Sequence, residues 1–179
     1  DESSGTIKKR FDTINVNSSE ENRMNYRRIL FESTEAMQNY ISGVILFDET
    51  IRQSNNDGER LVDIIKKSGS LPGIKVDMGA KELATMQGET VTEGLDGLRE
   101  RLQEYSNLGA KFAKWRAVIS ISNKNPSSLC IDVNAHALAR YAALCQESGI
   151  VPIVEPEVLM DGSHDIQKCY DVTKETLLK

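Results

Sequence analysis

Residues 112–119 read Phe-Ala-Lys-Trp-Arg-Ala-Val-Ile, a run that predicts a β-strand. Because successive side chains of a strand point to opposite faces, Lys114 and Arg116 share one face, and Trp115 lies on the other with the alanines. Parallel strands in α/β proteins are usually buried on both faces and almost entirely apolar. Two cations on one face of such a strand therefore need either ion-pair partners or a ligand.

The same spacing of charges occurs in two other predicted strands. Lys75 and Asp77 stand two residues apart at the end of one, and Glu155 and Glu157 do so in another. Active sites of α/β barrels lie at the C-terminal ends of the strands. One interpretation is an ion-pair network that only fixes the fold. The other, which the convergence of three pairs favours, is a catalytic site for an anionic substrate.

Predicted strands and helices alternate four times, at a repeat of about 40 residues, which indicates parallel strands joined by crossover helices and an α/β fold. The last predicted helix begins near Asp165. The predicted strands are Ile41–Phe47, Gly73–Val76, Phe112–Ile119 and Ile150–Val158, and the predicted helices before the last are 19–39, Leu61–Lys67, Leu98–Leu108 and 127–148.

Composition excludes several classes of function. The 179 residues carry a net charge of −5, which disfavours nucleic acids and acidic membranes as partners. No apolar run approaches the roughly 20 residues of a membrane-spanning helix. Cys130, Cys145 and Cys169 are widely spaced, which predicts reduced, packed thiols and no metal site.

The first segment, Asp1–Thr6, reads Asp-Glu-Ser-Ser-Gly-Thr and resembles a strand end followed by a turn. Its backbone N–H groups and hydroxyls suit a phosphate, with Arg10 just beyond, but an ordinary turn or helix cap explains them as well. The pair Asp48-Glu49 is open to two interpretations in the same way, lining a site or capping a turn.

The tripeptide Glu155-Pro156-Glu157 suits proton transfer. We expect Glu155, beside Lys114, to stay ionised, and Glu157, crowded by like charge, to be protonated. Pro156 lacks an N–H donor, so we expect strand pairing to stop there. His136 and His164 have no partner at a catalytic spacing and are interpreted as ordinary helix and loop residues.

Eight motifs, in order along the whole chain, resemble the class I fructose-bisphosphate aldolases. The resemblance implies a (β/α)8 TIM barrel, of which residues 1–179 are the N-terminal and middle part, about strands 1–5, as a single domain incomplete at both ends. It also implies a cytoplasmic homotetramer. The motifs are Asp-Glu-Ser-Ser-Gly-Thr, Glu-Glu-Asn-Arg, Tyr-Ile-Ser-Gly-Val-Ile-Leu-Phe-Asp-Glu-Thr, Pro-Gly-Ile-Lys-Val-Asp, Gly-Leu-Asp-Gly-Leu, Phe-Ala-Lys-Trp-Arg, Leu-Ala-Arg-Tyr-Ala and Gly-Ile-Val-Pro-Ile-Val-Glu-Pro-Glu-Val.

The resemblance implies reversible, metal-free cleavage of fructose 1,6-bisphosphate to dihydroxyacetone phosphate and glyceraldehyde 3-phosphate. Asp1 would bind the C4 hydroxyl and assist its deprotonation, and Lys114 would polarise the reacting centre. Glu155 would be the main acid–base, and Glu157 would position the Schiff-base lysine. The residues implied to hold substrate phosphate and hydroxyl groups are Ser3, Thr6, Arg10, Lys75 and Arg116.

The family's Schiff-base lysine lies in a Leu-Leu-Lys-Pro-Asn-Met segment, whereas this chain ends in Leu177-Leu178-Lys179. We therefore expect the nucleophile to lie beyond Lys179. Two alternative functions stay open at this point. One is another barrel enzyme acting on phosphorylated sugars, such as an isomerase. The other is a non-catalytic module that binds actin or other cytoskeletal partners, which the missing nucleophile motivates.

Overall fold

The computed structural model describes residues 1–179 as eight helices and six strands. The strands are β1 (Gly43–Leu46), β2 (Leu71–Lys75), β3 (Ala80–Glu82), β4 (Thr90–Thr92), β5 (Phe112–Ile119) and β6 (Val151–Val158). The helices are α1 (Ser4–Asp12), α2 (Glu20–Phe31), α3 (Thr34–Tyr40), α4 (Asp48–Arg52), α5 (Leu61–Lys67), α6 (Leu98–Leu108), α7 (Ser128–Glu147) and α8 (Ile166–Leu178).

Four strands form one sheet in the order β1-β2-β5-β6. β1 and β2 pair in parallel, with Gly43 opposite Leu71 and Leu46 opposite Ile74. β3 and β4 form a separate antiparallel hairpin. The strands of the larger sheet follow one another in chain order with helices between them, which confirms the α/β prediction. This order is that of a barrel and differs from a doubly wound sheet, where the order reverses at a switch point.

The chain divides into two compact units, which are described separately. The first contains Asp1–Lys75 and Gln103–Ala113, and the second contains Val76–Leu102 and Lys114–Lys179. In the first unit, fully buried side chains such as Ile7, Leu46, Leu61 and Ile65 form the core; in the second, Trp115, Ile119 and Tyr141 do so. The Trp115 and Tyr141 rings pack at 5.5 Å between centroids.

Helix ends follow local sequence signals. Ser19 and Ser127 accept backbone N–H groups three residues on and begin α2 and α7, as N-capping hydroxyls do. α6 ends at Gly109, whose φ of 112° is a conformation that glycine adopts without strain. These signals explain why the predicted bounds of α6 match the structure.

Gly73 permits a close contact between β2 and β5 in the first unit. A Cβ atom at Gly73 would lie 2.4 Å from ring atoms of Phe112, well inside van der Waals contact. The ring therefore occupies the space that any other residue at position 73 would need. Glycine at position 73 is therefore required for this packing of the Phe112 ring against β2.

The structure differs from the sequence predictions in one predicted helix and in two elements that were not predicted. The helix predicted over 19–39 is two helices, because the chain leaves helical geometry at Ser33, whose hydroxyl bonds back to the Ile29 carbonyl at 2.6 Å. Asp48-Glu49 lie in the first turn of the short helix α4, which the sequence analysis missed. Residues 80–92, for which no strand is predicted, contain the β3–β4 hairpin.

The prediction that strand pairing stops at Pro156 is wrong. β6 continues to Val158, and the Leu159 N–H still donates to the Ile119 carbonyl at 2.9 Å. Alternate residues point their N–H groups the same way, so Glu155 and Glu157 share the direction of Leu159 toward β5. Pro156 faces away from β5, so its missing N–H removes no hydrogen bond to that strand.

None of the helices combines the length and the apolar character that crossing a membrane requires.

Candidate active site

Two ion pairs join β5 to β6 in the second unit. Lys114 Nζ lies 3.2 Å from Glu155 Oε2, and the Arg116 guanidinium bonds the Glu157 carboxylate. The four side chains are 29–44% exposed. The sequence pairs i and i+2 therefore form two parallel cation–anion rungs on one face, and neither pair is buried. About a third or more of each side chain is exposed, so these charged groups are accessible to a polar ligand.

The ion pair between Arg116 and Glu157 changes the pKa of both side chains. The hydrogen bond from Arg116 lowers the pKa of Glu157, and the same bond raises the pKa of Arg116. The expectation that Glu157 is held protonated by like charge is therefore wrong. The guanidinium supplies the opposite charge, which outweighs the repulsion from a neighbouring carboxylate.

Asp77 lies just beyond β2 and is 7% exposed. Its carboxylate accepts the Gly79 N–H at 3.0 Å and the backbone N–H of Arg116 at 3.4 Å. The carboxylate also adds to the negative charge around the Arg116 guanidinium, whose pKa is raised. Asp77 thus holds the main chain at Arg116, while Glu157 holds its side chain.

A buried arginine organises the first unit. Arg27 has no exposed surface, and its guanidinium donates to Asp1, Glu49 and Gln53. Glu49 also accepts from Arg23 at 2.9 Å. Hydrogen bonds from the two arginines lower the pKa of Glu49 to about 2, with Arg23 contributing most. Two cations and two anions therefore compensate one another around Arg27, as buried charges require.

Asp1 belongs to this network. Its Oδ1 accepts from Arg27 Nε at 3.1 Å and from the Glu2 N–H at 2.7 Å, and its Oδ2 accepts the Phe47 N–H at 2.8 Å. The carboxylate side chain is 1% exposed. Asp1 is thus fixed against the residue that follows β1. Its predicted contact with a substrate hydroxyl requires the spare acceptor site on Oδ2 to become accessible.

The hydroxyl-rich segment caps α1. Ser3 accepts the Thr6 N–H at 3.3 Å, and the two hydroxyls lie 3.1 Å apart. Arg10 lies one to two turns into α1 and forms a two-bond contact with the Glu2 carboxylate. The alternative of a helix cap is confirmed. Lys75 is the last residue of β2 and is half-buried.

The family comparison agrees with this chemistry. The family model described as fructose-bisphosphate aldolase class-I matches residues 1–179. The chain belongs to the class-I fructose-bisphosphate aldolases. A probable class 1 aldolase of Xanthomonas axonopodis pv. citri is 61% identical over 99% of this chain, and the cytosolic aldolase 4 of Arabidopsis thaliana is 58% identical over the same share.

A solved structure shows the same fold. The aldolase of Plasmodium falciparum, crystallised with TRAP and a small-molecule inhibitor, superimposes with a TM-score of 0.93 and is 47% identical over 99% of this chain. The present chain of 179 residues spans 53% of the Xanthomonas protein, 45% of the Arabidopsis protein and 51% of the Plasmodium chain. It therefore covers about half the length of these relatives. The barrel fold predicted for it is the fold of this family, and the four-stranded sheet is part of it.

Lys179 has the wrong environment for a Schiff-base nucleophile. It follows α8 and lies 2.7 Å from Asp132, and this hydrogen bond raises the pKa of its amine. A nucleophilic lysine needs the neutral amine, which a lowered pKa provides. The contact supports the expectation that the aldolase nucleophile is another lysine.

Other predicted residues are placed as expected. Cys130 and Cys145 are buried, and burial raises the pKa of both thiols, to about 12 for Cys145. His136 is exposed on α7, and His164 lies in the loop before α8. No group of three or more His, Cys, Asp and Glu side chains is arranged to hold a metal ion.

Sequence analysis missed one buried polar residue in each unit that holds predicted site residues. Arg27 gave no signal, because its partners Asp1 and Glu49 lie 26 and 22 residues away in the chain. The other is Thr92, whose hydroxyl donates to the Arg116 carbonyl at 2.7 Å. The alternation Thr90-Val91-Thr92 is a short strand pattern that could have indicated it.

Proposed function

We propose that the protein, in its full natural length, catalyses the reversible aldol cleavage of fructose 1,6-bisphosphate to dihydroxyacetone phosphate and glyceraldehyde 3-phosphate. Family membership over the whole chain supports the reaction. The observation that carries it in the structure is the 3.2 Å contact between Lys114 and Glu155. A cation and a carboxylate on neighbouring strands can polarise a carbonyl and move a proton at the same carbon centre.

The cleavage passes through an imine between a lysine and the substrate. A lysine amine condenses with the C2 ketone of the substrate and releases water. Loss of the C4 hydroxyl proton breaks the C3–C4 bond and releases the aldehyde, while the imine accepts the electron pair. A proton returned to C3, followed by hydrolysis, releases dihydroxyacetone phosphate. Amine addition and hydrolysis need an acid–base at C2, and Glu155 is proposed for that role.

We assign the remaining roles by resemblance. Lys114 polarises the reacting centre, Glu157 positions the nucleophilic lysine, and Asp1 assists deprotonation at C4. Substrate phosphates and hydroxyls are held by five residues. These are Ser3, Thr6, Arg10, Lys75 and Arg116. The paired but open state of Arg116 supports its assignment, since a 44% exposed guanidinium can exchange a carboxylate for a phosphate.

Borohydride trapping tests the reaction directly. Dihydroxyacetone phosphate and borohydride should give a stable covalent adduct on one lysine of the full-length protein, other than Lys179, with loss of activity. A chelator should leave the cleavage rate unchanged. If no adduct forms and the chelator abolishes activity, the Schiff-base assignment is wrong.

We also propose a cytoplasmic homotetramer with cytoskeletal partners such as actin. Relatives named as cytosolic or cytoplasmic isozymes support the location. The Plasmodium aldolase crystallised with TRAP supports protein binding by this family. Co-sedimentation with actin filaments tests the partner: binding should fall when saturating fructose 1,6-bisphosphate occupies the site. Sedimentation velocity measures the oligomer.

A further inference from the structure

Buried side chains hold the peptide groups on both sides of Arg116. The Thr92 hydroxyl donates to the Arg116 carbonyl at 2.7 Å, and the Asp77 carboxylate accepts the Arg116 N–H at 3.4 Å. Thr92 is 3% exposed and Asp77 is 7% exposed. Both belong to the segment between β2 and α6. This segment therefore fixes the backbone from which the arginine side chain projects.

The backbone of Thr92 is in turn hydrogen-bonded to a residue of α7. Its N–H donates to Asn134 Oδ1 at 3.3 Å, and Asn134 is fully buried in α7. The Asn134 amide donates in turn to the Thr90 carbonyl at 2.8 Å and to the Cys130 carbonyl at 2.9 Å. The β3–β4 hairpin is therefore anchored to α7 through an amide whose donors and acceptor are all used.

A second anchor lies at the start of β4. The Glu89 carboxylate, 3% exposed, accepts both the N–H and the hydroxyl of Ser127, the residue that caps α7. Loss of one hydroxyl on β4 should therefore leave the hairpin attached. The effects of side-chain substitutions in β4 can therefore be expected to stay close to the substituted residue.

Thr90 provides an internal comparison. Its hydroxyl donates to the Val118 carbonyl at 2.8 Å, the same bond as that of Thr92, two residues along the same two strands. Val118 carries no charge and has no proposed contact with substrate. The two threonines therefore make the same hydrogen bond to β5 and differ in the residue that they hold, although Thr92 is also the more buried of the two.

We propose that Thr92 is a positioning residue that acts through Arg116 on the recognition of substrate phosphate or hydroxyl groups. The inference rests on the proposed function, in which Arg116 binds substrate. A guanidinium matches a phosphate with two bonds only over a narrow range of orientations. Fixing the Arg116 peptide fixes the direction of its Cα–Cβ bond, so a misplaced peptide would misalign the whole side chain.

Steady-state cleavage of fructose 1,6-bisphosphate by the full-length protein tests the proposal. Thr92→Val removes the hydroxyl at nearly constant shape. It should raise KM about threefold to tenfold, the range that one lost hydrogen bond gives, with a much smaller change in kcat. Thr90→Val should lower the melting temperature to a similar degree and leave KM within about twofold. Thr92→Ser, which keeps the hydroxyl, should restore the KM of the natural protein.

The Arg116→Ala background tests whether the effect passes through Arg116. There Thr92→Val should add nothing further to KM, because the group it positions is gone. Equal KM values for the two valine variants, or an undiminished Thr92→Val effect in the Arg116→Ala background, would overturn the inference. Thr92→Ala serves as the second hydroxyl-free variant if the valine protein does not fold.

Other results would contradict the proposed function itself. If the natural protein does not cleave fructose 1,6-bisphosphate, or Arg116→Ala leaves KM unchanged, the proposed reaction or the assignment of Arg116 is wrong. The Thr92 inference, which depends on both, then falls with them. If both controls behave as proposed, the comparison of Thr92 with Thr90 alone decides the inference.

Discussion

Lys114 and Glu155 form an ion pair across neighbouring strands, with Nζ 3.2 Å from Oε2 and about a third of each side chain exposed. The pair lies beside a second one, Arg116 with Glu157, on the same strands. The lysine lies within contact distance of the carboxylate, and solvent access lets protons exchange there. This arrangement suits an acid–base group more than a structural ion pair.

Glu155→Gln should reduce kcat by about 100-fold or more, because a positioned acid–base group contributes at least that much and the amide cannot carry the proton. The amide keeps the shape of the side chain, so KM should change little. Steady-state kinetics of the full-length protein measure both. Near-normal turnover would remove Glu155 from the mechanism and favour an ion pair that only fixes the fold.

Lys75→Ala should change binding more than turnover. Phosphate contacts are largely the same in the ground state and the transition state, so their loss raises KM. We expect KM for fructose 1,6-bisphosphate to rise about tenfold or more, with kcat reduced less, since a charged hydrogen bond is worth about 1.5–3 kcal/mol. Lys111→Ala, an exposed lysine just before β5, is the control and should leave both constants unchanged. A fall in kcat alone would instead give Lys75 a role in the chemical step.

Glu49 should contribute to the acid sensitivity of the fold. Its pKa is about 2 in the folded protein, against an ordinary 4.5, because Arg23 and Arg27 hydrogen-bond the carboxylate. A lowered folded pKa means that the contribution is fully present above pH 4.5 and is lost as the pH falls toward 2. Glu49→Gln should therefore lower the melting temperature at pH 7 and flatten its decline between pH 4.5 and 2, as measured by circular dichroism.

Glu32→Gln is the matched control for Glu49. Glu32 follows the last residue of α2 and pairs with Arg28 of that helix, but its side chain is 39% exposed, and exposed pairs contribute little to stability. Its melting curve should follow that of the natural protein across the pH range. If Glu49→Gln shows the same slope as Glu32→Gln, the buried network does not determine the acid response.

Elements with periodic apolar residues and clear start or stop signals were predictable from sequence. The bounds of α5, α6 and β5 match the predictions, because apolar spacing defines their interiors and Gly109 ends α6. The charge pairs of β5 and β6 were predictable for the same reason, since alternation along a strand fixes which side chains share a face.

Short elements and distant partners were not predictable. The three-residue strands β3 and β4 contain too few residues for a periodic signal, and α4 is a single turn. The burial of Arg27 depends on partners that only tertiary structure brings together, and isolated arginines are usually exposed. The unexpected pKa of Glu157 likewise follows from its contact with Arg116, which depends on strand pairing.

Gly73→Ala should destabilise the first unit by about 1–3 kcal/mol, the usual cost of overpacking, because the new methyl group would lie 2.4 Å from the Phe112 ring. Phe112→Leu in the same protein should recover part of that loss, since the shorter side chain vacates the space, and a double-mutant cycle would show the coupling. Gly5→Ala is the control: it lies in α1 with no atom within 4 Å of the added carbon and should be neutral or stabilising. Urea unfolding measures the free energy of unfolding of the natural protein, the two single variants, the double variant and the control. Equal stability of Gly73→Ala and the natural protein would mean that the β2–β5 contact adapts without cost.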